Sequence, residues 1–126
     1  MNRPYMTESR ADAASIELLR KAYAAFDRHE FETVIALMHP EVDWPNAWEG
    51  GMLRGPNAVR DYWKRQFAVL DSRLETLSFN PEADGRIAIE VRQIVHDKDG
   101  KLVADRVVQH VYRIEDGLIR GMEVRS

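Results

Sequence analysis

The spacing of apolar side chains changes partway along this chain. Ile16, Leu19, Tyr23 and Phe26 fall three and four apart, with Ala22 and Ala25 beside them, which predicts an amphipathic helix that Ser9 or Asp12 would cap. Phe31, Val34, Ile35 and Met38 repeat the pattern over a shorter span. This second helix is expected to stop at His39-Pro40, because proline disfavours helix at the residue before it. Gly55-Pro56 opens a third, with proline at the first helical position where its missing N–H costs nothing, and Val59, Tyr62, Trp63, Gln66, Phe67 and Leu70 follow at helical spacing. From Leu74 onward the turn signals "NPEADG", "DKDG" and "EDG" separate segments rich in Val, Ile and Leu, as in antiparallel hairpins. Strands are predicted near 73–80, 86–96, 101–114 and 118–125. Helices grouped first and strands after predict an α+β fold, with three N-terminal helices packed on one face of a strongly curved antiparallel sheet.

Composition narrows the possibilities. The 126 residues, 44% of them hydrophobic, suit one domain with one core, 1–126, in which residues 1–10 are expected to form a flexible extension. A net charge of −3 from 18 basic and 21 acidic residues makes no one-signed field, so a nucleic-acid partner is not expected. Without cysteine, disulfides, thiolate nucleophiles and thiolate metal sites are excluded together, and any chemistry must use oxygen or imidazole. "MNRPYMTESR" lacks the apolar run of a signal peptide, and no segment approaches the ~20 apolar residues of a spanning helix, so a cytoplasmic protein without a membrane partner is expected.

Several motifs carry little. His29, His39, His96 and His110 show no paired ligand spacing, and His29 and His96 fall at expected turns, so neither a metal nor another cofactor is expected. No G-x-S-x-G occurs, and Gly50, Gly51 and Gly55 are too scattered for a phosphate loop. In "RDYWKR", Arg60 and Lys64 are four apart on a solvated helix face while Tyr62 and Trp63 turn inward.

The order of helical hairpin, short strand, third helix and curved meander is carried by "AYAAFDRHEFETVIALMHPEVDWPN", "LRGPNAVRDYWKRQF" and "HVYRIEDGLIRGMEV". It resembles the nuclear-transport-factor-2-like superfamily, the cystatin-like α+β cone, and within it the SnoaL-like family, related in fold to ketosteroid isomerase. The resemblance implies a cone whose open end is a ligand pocket. Members of the superfamily include isomerases, dehydratases, polyketide cyclases, epoxide hydrolases and interaction domains, so the fold by itself assigns no chemistry.

Candidate site residues follow from strand register and from the resemblance together. If "DKDG" is the hairpin turn, His110 faces Ile87 and Val108 faces Ile89, and Val91, Gln93 and Arg106 share that inward face. His110 is then an imidazole able to exchange a proton near neutral pH in an aliphatic strip. By resemblance it matches the position where ketosteroid isomerases carry the carboxylic acid that donates to an oxyanion. Gln93, Trp63 and Met122 match pocket positions of the same enzymes. The matches to the remaining machinery fail. The first-helix tyrosine corresponds to Ala22, with Tyr23 roughly 100° further round the helix. The general-base aspartate corresponds to Trp44, and Asp43 points to the opposite face of a short strand. Unmodified steroid-isomerase chemistry is therefore not expected.

What remains is an aromatic pocket. "VDWPNAWEGG" brings Trp44 and Trp48 towards Trp63 and Tyr23, with Met52, Ile89, Val91, Val108 and Met122 as apolar filling and Asn46, Gln93 and His110 as polar groups that orient a ligand. Tyr62 and Phe67 read as core. The expected protein binds a small apolar molecule and performs proton-transfer chemistry such as isomerisation, dehydration or cyclisation of an apolar carbonyl compound, with His110 as acid or base. The alternative is a non-catalytic ligand-binding or dimerisation module. In either case a homodimer is expected through an outer sheet face carrying Arg92, Tyr112 and Arg125.

Overall fold

The computed structural model of the protein describes residues 10–125. The elements are α1 (Arg10–Asp27), α2 (Phe31–Ala36), β1 (Met38–Pro45), β2 (Met52–Arg54), α3 (Pro56–Val69), β3 (Leu70–Pro81), β4 (Ile87–Asp97), β5 (Leu102–Glu115) and β6 (Leu118–Arg125). Ser9 as a cap, and residues 1–9 of the expected extension, lie outside the described residues. Arg10, assigned to that extension, is the first residue of α1. Among the described residues no helix is long and apolar enough to cross a membrane.

α1 buries Ile16 and Leu19 of the stripe its spacing predicts, together with the neighbouring Ala22 and Ala25, while Tyr23 and Phe26 are partly buried against the core. α2 is shorter than expected. Leu37 caps it, Met38 already belongs to β1, and His39-Pro40 lies within a strand rather than ending a helix. Proline is tolerated there because the ladder between β1 and β6 is irregular between Met38 and Asp43, so its missing N–H breaks no regular pair. α3 starts as expected, with Gly55 at φ 88° before Pro56, and ends one residue early, where Leu70 turns extended and begins β3.

The three helices pack on a six-stranded sheet of order β2-β1-β6-β5-β4-β3. Four of the five strand pairings are antiparallel, but β1 pairs with β6 in parallel, so the sheet is mixed and not the purely antiparallel sheet expected. The meander brings the chain end back beside its first strand, and Ile119 N–H donates to the Leu37 carbonyl.

The register of β4 and β5 decides which side chains face the helices. His110 faces Ile89, and Val108 faces Val91, two residues beyond the expected pairs. Two insertions account for this. The turn holds three residues, with Asp97 N–H bonded to the Lys101 carbonyl and Gly100 at φ 86°, and a bulge between Val95 and His96 adds another. A slip of two preserves the face, so Ile87, Ile89, Val91, Gln93, Arg106, Val108 and His110 point inward as expected. The bulge also places His96 in β4 opposite Leu102, not at a turn.

Tyr112 overturns its assignment. Two residues from His110, it shares the inward face and is buried, so the outer surface proposed for a dimer loses its aromatic residue. Arg92 and Arg125 do lie outside, and each is already paired within the chain. Arg92 makes two hydrogen bonds to Asp105, and Arg125 reaches Glu82 and Glu123.

Candidate functional site

α1 delivers Tyr23 across the interior to β5. Its hydroxyl lies 2.7 Å from His110 Nδ1 and 2.8 Å from the Tyr112 hydroxyl, forming a chain of three groups in which Tyr23 is the middle member. Tyr23 and His110 are stacked with ring centroids 6.1 Å apart, and Tyr23 meets Tyr112 edge-on. No other side chain among the described residues bonds to His110, so its Nε2 has no side-chain partner, and the residue is part of the cavity wall.

Burial governs the charge of all three groups. It pushes the His110 imidazole down to about 4, so the ring is neutral at neutral pH. Burial also raises Tyr23 well above the ordinary phenol value, helped by the adjoining Tyr112, and raises Tyr112, against which the bond to Tyr23 pulls weakly. Imidazolium and phenolate are thus both disfavoured. A hydroxyl both gives and takes a hydrogen bond, so the chain can be polarised in either direction, ending in an N–H or a lone pair at Nε2.

These groups wall a cavity of about 100 Å³. Trp44 and Trp63 stand edge to face at 5.8 Å on its other side, and Trp44 also approaches Tyr112. Val108, Met122 and Gln93 complete much of the wall. Tyr23, Trp44, Trp63, Gln93, Val108, His110 and Met122 are therefore brought together around one space. Ile89 and Val91 are fully buried on the same sheet face but do not line it.

Asn46, Trp48 and Met52 are placed elsewhere. Asn46 is buried, yet its amide donates to Glu49 and its carbonyl accepts the Glu49 N–H, closing the loop upon itself. Trp48 and Met52 are 52% and 62% exposed and contribute nothing to the cavity wall, which the loop meets through Pro45 and Ala47. The loop is pinned to α3, where Arg65 makes two hydrogen bonds to Glu49 and Tyr62 bonds to the Trp48 backbone.

Asp43 faces away from the cavity as expected. Although its site is partly desolvated, Arg120 and Arg54 hold its carboxyl below the ordinary range. No carboxylate lines the cavity among the described residues. Sequence reasoning missed Tyr112, Gln66, Ser72 and Arg106 as wall residues. Alternation from His110 already puts Arg106 on the inward face, though not among the ligand contacts, and carried two residues further it would have found Tyr112. Outside the cavity, His39, Glu115 and Asp116 come within 4.8 Å of one another, a grouping made by the fold and invisible as spacing.

A family model described as a SnoaL-like domain matches residues 19–122. The chain belongs to the SnoaL-like family. No functionally curated protein matches it in sequence. Solved structures agree with the SnoaL-like assignment in fold. An NTF2-like protein of unknown function from Burkholderia pseudomallei is 24% identical with a TM-score of 0.78, covering 89% of each chain. A putative polyketide cyclase from Xanthomonas campestris pv. campestris is 16% identical with a TM-score of 0.80, covering 90% of each. A Mycobacterium tuberculosis protein in complex with estradiol-17β-hemisuccinate is 18% identical with a TM-score of 0.77, covering 88% of this chain and 92% of that one. At such identities these likenesses concern the cone fold. Within that cone, the SnoaL-like chain places its polar chemistry in the Tyr23–His110–Tyr112 set.

Proposed function

We propose that this SnoaL-like protein binds a small apolar carbonyl compound in the cavity and moves a proton on it, as in isomerisation, dehydration or cyclisation. The observation that carries the reading is His110, which lines an aromatic cavity, keeps one imidazole nitrogen without a side-chain partner and is backed through the other by Tyr23 and Tyr112. Relatives of the fold support a small-molecule role, one being described as a putative polyketide cyclase and another holding a steroid ester.

Burial disfavours every charged form of the three groups, so the transfer is best served by a relay that separates no charge. Nε2 takes a proton from the carbon beside the carbonyl, and the C–H electron pair becomes the new C=C bond while the carbonyl π pair moves to oxygen. Oxygen takes the Tyr112 proton, Tyr112 takes that of Tyr23, and Tyr23 takes that of Nδ1. The product is a neutral enol, and the imidazole has merely exchanged tautomers. Running the relay backwards completes an isomerisation of a conjugated substrate: Nε2 delivers its proton to another carbon of the dienol as the C=O bond re-forms, and the enol O–H proton returns through Tyr112 and Tyr23 to Nδ1.

The test is α-proton exchange into deuterated water, followed by NMR, with aryl ketones such as 1-phenyl-2-propanone. The protein should accelerate exchange, and His110→Ala should remove about 10²–10⁴-fold of that acceleration, the usual contribution of a positioned acid or base. Full turnover in the variant would refute the role of His110.

A binding module is favoured by one observation, the cavity volume of about 100 Å³. Ligand pockets generally hold roughly 300–1,000 Å³, while a cavity of about 150 Å³ suffices for benzene. In that reading a single ring binds without turnover, and no α-exchange is seen for any bound ketone. A second copy remains the proposed partner at the outer face of β4 and β5, where Val107 is half exposed. Light scattering across micromolar concentrations should return a dimer mass, and a monomer throughout would refute it.

A further inference from the structure

The inward face of β5 has a polarity gradient along its length. Tyr112, His110 and Val108 are buried, opposite Ile87, Ile89 and Val91, and the next inward position is Arg106, exposed and opposite Gln93. β6 pairs with β5 only from Gln109 onward, so Arg106 stands beyond its end, at the rim of the cavity it helps to line. Its Nε donates to Gln93 Oε1 at 3.2 Å, which orients the guanidinium. Both Nη groups lack a partner among the described residues, and no carboxylate lies within ion-pair distance. Arg65, Arg86, Arg92 and Arg125 are all engaged by acids.

An oriented guanidinium with a free fork at the edge of an apolar, carboxylate-free wall is built to meet one planar anion. We infer that the ligand of this cavity is an apolar molecule bearing a single carboxylate, held at the rim by Arg106 with its carbonyl end directed towards His110. Bidentate geometry matches carboxylate to guanidinium, and a lone cation balances one negative charge. The amide nitrogen of Gln93 adds a neutral donor beside it. Arg106 and His110 are four residues apart, about 13 Å of strand, which sets the span between the anion and the reacting group. Val108 lies between them as apolar wall. This inference rests on the cavity being a ligand site, and it specifies the ligand class.

The probes are 6-phenylhexanoate and 6-phenylhexanamide, equal in length and differing in charge, titrated calorimetrically into the wild-type protein and Arg106→Gln. The wild type should prefer the acid about tenfold, in keeping with a charge-assisted pair, and added salt should shrink the preference. Arg106→Gln should bind acid and amide alike, and its thermal melt should match the wild type because the side chain is exposed. Equal binding of acid and amide by the wild type, or a preference that survives in Arg106→Gln, overturns the inference while leaving the cavity as a ligand site. Failure of both probes to bind overturns the inference and the reading of the cavity together.

Discussion

Tyr23 on the first helix and His110 on the fifth strand, separated by 87 residues, are joined by a hydrogen bond of 2.7 Å. The same hydroxyl meets Tyr112, so removing it unpairs two buried polar groups. Each buried group left unsatisfied costs about 1–3 kcal/mol. Tyr23→Phe should therefore lower stability by about 2–6 kcal/mol in urea titration, whereas Tyr112→Phe, at the end of the hydrogen-bonded series, should cost less. Because both break the proton relay, both should lose α-exchange activity despite their different stabilities. Retention of exchange in Tyr112→Phe would refute the relay.

The His110 imidazole makes stability depend on pH. Its folded value of about 4 lies below the ordinary 6.5, so between these limits the unfolded chain takes up a proton that the folded protein refuses. Stability contributed by the neutral ring is complete above pH 6.5 and is lost as pH falls towards 4, by about 3 kcal/mol in all. His110→Gln should flatten this part of the profile. Urea midpoints of wild type and variant, compared across that window, check the difference, since titrating carboxylates contribute equally to both. Parallel profiles would show that the ring is not buried neutral.

Regular elements made much of this legible. α1 and α3 announce themselves by apolar stripes, and alternation along β4 and β5 puts His110, Val108 and Gln93 on the cavity face even though the exact pairs are offset by two. That offset arises from Gly100 and the Val95–His96 bulge, and alternation alone does not register an even slip. Tyr112 was misplaced where the same alternation was not followed far enough. Trp48, Met52 and Asn46 lie in a segment with no period, where hydrophobicity suggests burial but nothing states direction. Asn46 turns to Glu49, and Trp48 is left outside. The parallel pairing of β1 with β6 joins segments far apart in sequence that no local pattern connects.

Trp44 limits what the cavity holds, since it stands against both Trp63 and Tyr112. Truncating a buried Trp to Ala typically costs about 3–5 kcal/mol, so Trp44→Leu is the milder probe of its role. That variant should remain folded, with a lower denaturation midpoint. It should gain affinity for 6-(2-naphthyl)hexanamide relative to 6-phenylhexanamide, because the second ring enters the vacated space. Unchanged selectivity in calorimetry would place the aryl group away from Trp44.

The loop that begins at Asn46 is held by Glu49, whose carboxyl the Arg65 guanidinium and the Asn46 amide bring down to about 2. A carboxyl lowered in the folded state contributes above its ordinary 4.5 and loses that contribution as pH falls from 4.5 towards 2. The pair is exposed and screened by salt, so its effect is local, on a loop that carries Ala47 at the cavity edge and Trp48 above α3. Glu49→Gln should leave the thermal midpoint nearly unchanged while hydrogen exchange quickens across residues 46–51. Ligand association should quicken with it, if passage past Ala47 limits entry. Exchange that stays as slow as in the wild type would mean that the Tyr62 bond to the Trp48 backbone suffices to hold the loop.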